Sequence, residues 1–117
     1  MAKNPLKSSF KYAFHGIRLA LKERNFKIHV ICSILVVSLG FYFQVSKNEW
    51  LILIFCISMV FSLEIVNTSI EKLTDLVSPE TNTLAGYAKD LAAAAVLIAS
   101  IAALIIGSMI FWPYFFN

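Results

Sequence analysis

Hydrophobic positions follow two different patterns along this chain. Between positions 6 and 21 they recur at helical spacing, with Leu6, Phe10, Phe14, Ile17 and Leu21 at steps of four, four, three and four. Lys7, Lys11, His15, Arg18 and Lys22 form an adjacent stripe with similar spacing. Together they predict an amphipathic helix over about residues 5–24, of the kind that lies flat in the headgroup layer of a membrane. Further on the pattern becomes continuous. Residues 28–45 form an 18-residue apolar run in which only His29 can carry charge, residues 50–70 a 21-residue run carrying Glu64, and residues 91–112 a 22-residue run without charge. Each approaches the roughly 20 residues that a helix needs to cross a bilayer. The runs predict spans over about 28–46, 49–70 and 90–112.

Connections and run ends fit that reading. Trp50, Trp112 and Tyr114 stand at run ends, where an aromatic belt meets the membrane interface. The third run is rich in Ala, Gly and Ser, which favours close helix packing in lipid. "SKNE", residues 46–49, joins the first two runs tightly, whereas residues 71–90 read as a longer polar link containing Pro79 and Gly86. Composition agrees, at 59% hydrophobic and 15% charged residues, with a mean hydropathy of +0.76. That is too apolar for an ordinary soluble protein. A length of 117 residues leaves room for one domain, residues 1–117, and no internal repeat is present.

Charge fixes an expected orientation. Seven of the ten Lys and Arg residues fall in the first 27 positions: Lys3, Lys7, Lys11, Arg18, Lys22, Arg24 and Lys27. A basic end ahead of apolar spans points to a membrane surface and away from nucleic acid. No apolar core with a small-residue cleavage site follows it at a suitable distance, so it does not read as a secretory signal. Basic residues stay on the cytoplasmic side, which puts the N-terminus inside, Lys47 outside, residues 71–90 inside and Asn117 outside. Every acidic residue except Glu49 then faces the side where ATP is found. Cys32 and Cys56 would differ in depth by about 9 Å across a hairpin turning near Lys47, too far for a disulfide. Both read as small core or lipid-facing residues.

Candidate chemistry gathers at that inner interface. Glu64, Asn67, Glu71 and Asp75 follow at offsets of three, four and four, which puts all four on one helical face. A carboxylate at the depth of Glu64 costs roughly 2.5–3.5 kcal/mol to insert and is a functional group by default; it is placed to act as a general base. Glu23 and Glu71 could hold Mg²⁺, which prefers hard oxygen ligands and keeps waters and substrate phosphates. Lys89, beside Asp90, could neutralise a phosphate. Asp75 taken alone also reads as a solvated helix end, Glu71 reads either way, and His29 reads as an interfacial or hydrogen-bonded histidine and not as a metal ligand. Glycines 16, 40, 86 and 107 are isolated, so there is no Gly-rich phosphate loop. From the residues alone the chain is an all-α, three-span membrane protein with a cytoplasmic carboxylate site that uses a divalent cation.

The segments "FKYAFHGIRLAL" (10–21), "ERNFKIH" (23–29), "EIVNTSIEKLTD" (64–75), "SPE" (78–80) and "LAGYAKDLAAAAVLI" (84–98) resemble the prokaryotic diacylglycerol kinase / undecaprenol kinase family. These are small membrane enzymes unrelated to soluble kinases, and the resemblance covers almost the whole chain. It implies ATP-dependent transfer of the γ-phosphoryl group to a lipid hydroxyl, in the bacterial cytoplasmic membrane, by a homotrimer whose composite site borrows groups from a neighbouring chain. By that resemblance Glu64 matches the catalytic base and Glu23 and Glu71 the Mg²⁺ ligands, with Asn67 and Asp75 supporting them. Tyr12, Glu23, Glu71, Glu80, Thr81, Asn82, Lys89 and Asp90 match nucleotide-contacting positions. Asn25, Phe26, Lys27, Ile28 and His29, with Glu64, correspond to the lipid-binding region. "ERNFKIH" looks more like the undecaprenol kinases than the enterobacterial diacylglycerol kinases.

Two other classes compete. A small proton-coupled transporter or channel subunit would use Glu64 as its proton site, but the charge-free third span offers it no through-pathway. A non-catalytic membrane adaptor would leave the cluster of Glu64, Glu71, Lys89 and Asp90 without purpose.

Overall fold

The computed structural model describes residues 5–116; Lys3 of the basic cluster and Asn117 of the expected topology lie outside the described residues. Four helices follow one another: α1 (Pro5–Ala20), α2 (Arg24–Phe43), α3 (Lys47–Val77) and α4 (Thr83–Phe116). The last three are each long and apolar enough to cross a membrane, and most of their large hydrophobic side chains point outward. Such a surface is stable only against lipid or other apolar helices.

α1 ends earlier than its pattern suggests. Residues 21–23 form a turn held by Lys22 N–H to Leu19 O and Glu23 N–H to Ala20 O, and α2 then starts at Arg24. Glu23 therefore caps α2 rather than closing α1. The apolar stripe of α1, including Leu6, Phe10 and Phe14, is exposed.

α2 and α3 form a tight hairpin. α2 stops where Gln44 adopts a left-handed conformation at φ 54°, and its N–H and that of Val45 return to Phe41 O and Gly40 O. Ser46 then starts α3 with a capping box, its hydroxyl accepting from Glu49 N–H while the Glu49 carboxylate accepts from Ser46 N–H. Gly40 permits the close approach: a Cβ there would stand 2.6 Å from the Trp50 ring. The core sits at this end, where Val45, Leu53 and Phe111 pack with Phe43, Trp50 and Tyr114. The Tyr114 hydroxyl donates to Glu49 and ties the end of α4 to the hairpin.

At the opposite end α3 and α4 overshoot their apolar runs. The expected link over residues 71–90 shrinks to residues 78–82, because Glu71, Lys72, Leu73 and Leu76 are good helix formers and hydropathy is blind to that. α3 ends before Pro79, which disfavours helix at Ser78. α4 starts at once, with the Asn82 side-chain oxygen accepting from Leu84 N–H and Ala85 N–H. At about 1.5 Å per residue, α3 and α4 are about 46 and 51 Å long against a hydrocarbon core of about 30 Å. Their polar ends project beyond it on one side. α3 packs chiefly on α4, more lightly on α2, and touches α1.

Candidate active site

Helical spacing does put the four polar residues of α3 on one face, but that face passes from the protein interior into water. Glu64 and Asn67 are buried, at 3% and 5% exposure, whereas Glu71 and Asp75 are exposed. Each meets a different partner. The Glu64 carboxylate lies 3.5 Å from His29 Nε2 on α2. The Asn67 amide donates to one Glu71 carboxylate oxygen at 2.9 Å, which leaves the Asn67 carbonyl oxygen buried without a hydrogen-bond partner. Asp75 pairs with Lys89 across the α3–α4 connection.

Two cavities hold part of this set, Glu64 and His29 in one and Asp75 and Lys89 in the other. A groove of about 300 Å³ is lined by Asn25, Ile28 and His29 of α2, Glu64 of α3 and a stretch of α4 ending at Ser100. Ile28, His29 and Ser100 also line an apolar groove of about 230 Å³ that runs on between the helices past Val36 to Gly107. A hydrocarbon chain entering that groove would bring a terminal polar group to Glu64. The second cavity, a polar cleft of about 250 Å³ at the overhang, gathers Asp75, Glu80, Thr81, Asn82 and Lys89. Four residues expected to contact the nucleotide, Glu80, Thr81, Asn82 and Lys89, thus meet in one place, together with Asp75, expected in a supporting role.

The remaining candidates are dispersed. Tyr12 is exposed on α1, and Asp90 is exposed on α4 outside the cleft. Phe26 is buried against Phe61, ring centroids 5.1 Å apart, and Lys27 is exposed; neither lines the groove. Glu23 is 3.4 Å from Lys72 in an exposed ion pair. Among the described residues no group of three or more His, Cys, Asp or Glu side chains could hold a metal ion. Glu71 nevertheless suits one: its carboxylate is a hard donor oriented by the Asn67 amide, and that kind of support is typical behind metal ligands. An exposed pair such as Glu23–Lys72 is worth about 0–1 kcal/mol, so releasing Glu23 to a cation is cheap.

Ser100 is absent from the expected site. In the spans Ser33, Ser38, Ser58 and Ser108 each donate to the carbonyl four residues back. The Ser100 hydroxyl instead is buried at the groove wall with no partner. No pattern in the sequence distinguishes it from the others. The cap at Asn82 is different, since an Asn immediately before a helical run is a recognisable start signal.

Residues 11–111 match the prokaryotic diacylglycerol kinase family. The chain belongs to that family. Its similarity to individual members extends over nearly its full length: 42% identity to the undecaprenol kinase of Bacillus subtilis across 90% of this chain and 86% of that protein. It is 36% identical to a diacylglycerol kinase of Synechocystis, across 90% of this chain and 61% of the relative. Identity to the diacylglycerol kinase of Escherichia coli K12 is 33%, across 89% and 86%. As a member of this lipid kinase family, the chain puts a buried carboxylate at the head of an apolar groove and a lysine-bearing cleft at its polar overhang.

Proposed function

We propose that this protein is an ATP- and Mg²⁺-dependent kinase that phosphorylates a membrane lipid alcohol, diacylglycerol or undecaprenol, with Glu64 as general base. The observation that carries this reading is the position of Glu64, buried at 3% exposure in a groove that continues into an apolar one. A lipid hydroxyl is the polar group that reaches such a depth. Family membership and the names of the relatives support the same chemistry.

In this mechanism the apolar groove holds the lipid chain and presents its hydroxyl to Glu64, which takes the proton as the lipid oxygen bonds to the γ-phosphorus and the bond to the β-phosphate oxygen breaks. Lys89 and the backbone around Asn82 hold the phosphates, and Asn67 keeps the Glu71 carboxylate oriented. Glu23 and Glu71 would hold Mg²⁺, which supplies charge neutralisation on the phosphates when bound. Catalysis then rests on positioning and electrostatics, with no covalent intermediate on the protein.

Three finer features belong to the same proposal. α1 lies in the headgroup layer with its exposed apolar stripe in lipid. The N-terminus and the polar overhang face the cytoplasm of a bacterial cell, where ATP is available. The enzyme is a homotrimer, and a neighbouring chain completes the metal and nucleotide sites; that the described residues hold no group of three or more metal-ligating side chains fits this.

Glu64→Gln tests the base assignment, because it keeps the shape and removes the basic oxygen. Phosphoryl transfer should fall by about 10²–10⁴-fold with an unchanged melting profile. Retained turnover in the folded variant would refute the role of Glu64.

A further inference from the structure

A base that takes a proton in every turnover must also lose it, and the Glu64 side chain, at 4% exposure, has almost no contact with solvent. Of the residues lining its groove, His29 is the only other titratable one. α4 contributes only alanine, valine, leucine and serine there, and α1 contributes nothing. On α3 itself the nearest ionisable residue is Glu71, two turns away and engaged by Asn67. The His29 side chain is 22% exposed, with Nε2 3.5 Å from a Glu64 oxygen. It therefore links the buried carboxylate to the protein surface near the start of α2.

We propose that His29 is the proton exit of the kinase, a proposal that rests on the reading of Glu64 as the base. After Glu64 has taken the lipid hydroxyl proton, the carboxyl O–H bond breaks and the proton passes to Nε2 of neutral imidazole. The imidazolium then gives up a proton to water at its exposed edge, and the carboxylate is ready for the next lipid. An imidazole suits this step because both its forms are accessible near neutral pH.

The test uses the purified full-length enzyme in lipid vesicles with saturating ATP, Mg²⁺ and lipid alcohol. His29→Gln preserves polarity and size but cannot carry the proton; kcat should fall by about 10- to 100-fold, within the range of acid–base effects, while both KM values change less than about twofold. The pH dependence of kcat should change. His29→Ala opens space for an added imidazole, which should restore much of the lost rate. An unchanged kcat and pH profile in His29→Gln would overturn the proposal. So would a loss confined to the lipid KM that imidazole does not restore, since His29 would then only contact lipid. Glu64→Gln, run in parallel, separates the two levels: if it is inactive and His29→Gln is normal, only the exit fails, and if it is active the base assignment falls with it.

Discussion

Asn67 and Glu71 show how a single hydrogen bond sorts a row of polar side chains into different duties. With the Asn67 amide donating to one Glu71 oxygen, the carboxylate is oriented, and a hydrogen-bonded, oriented carboxylate is a better cation ligand than a free one. Glu71→Gln keeps an acceptor for Asn67 and removes the charge. The Mg²⁺ concentration for half-maximal activity should rise about 10-fold or more, measured by metal titration of the kinase rate; an unchanged titration would take Glu71 out of the metal site. Spacing along α3 is enough to read Glu64, Asn67, Glu71 and Asp75 as one face. It cannot say that His29 meets Glu64, that Lys72 takes Glu23, or that the Ser100 hydroxyl is buried without a partner. Those depend on how α2 and α4 are rotated against α3, which apolar runs without a polar face leave undetermined.

At the level of elements, the α2–α3 hairpin is the end where the core packs. Its turn is set by Gln44 in the left-handed region, the Ser46–Glu49 capping box and the contact of Gly40 with Trp50. Gly40→Ala would drive a methyl group to 2.6 Å from the Trp50 ring, and the indole has to move out of its packing. Overpacking of this kind costs about 1–3 kcal/mol, so the melting midpoint in detergent should drop by several degrees; an unchanged midpoint would mean that Trp50 gives way freely. The existence of four helices is legible from the sequence, α1 from its amphipathic spacing and the other three because apolar runs of about 20 residues have few other uses. Their ends are not. α3 continues to Val77 and α4 begins at Thr83, since residues such as Glu71 and Lys72 are poor in lipid yet good in a helix. The polar link expected over residues 71–90 is largely helix for that reason.

As a whole, the molecule consists over its described residues of four consecutive helices. Its polar half is the overhang of the same two helices that cross the membrane, carrying Glu71, Lys72, Asp75, Lys89 and Asp90. A cleft with Lys89 and the Asn82-capped start of α4 lies at that overhang, and the groove with Glu64 lies nearer the apolar runs. On the proposed function, phosphate and lipid therefore occupy different cavities. Lys89→Ala should raise the KM for ATP by about 10-fold, the loss of one charge-assisted contact, with the lipid KM little changed; equal effects on both substrates would place Lys89 elsewhere in the mechanism.

The most direct measurement offers the purified full-length protein diacylglycerol and undecaprenol together, with ATP labelled in its γ-phosphoryl group, and follows label into lipid with and without Mg²⁺. Mg²⁺-dependent labelling of at least one of the two alcohols, lost in Glu64→Gln, is the expected result, with kcat/KM naming the preferred acceptor. Label that enters neither lipid at saturating ATP and Mg²⁺ would contradict the proposed function.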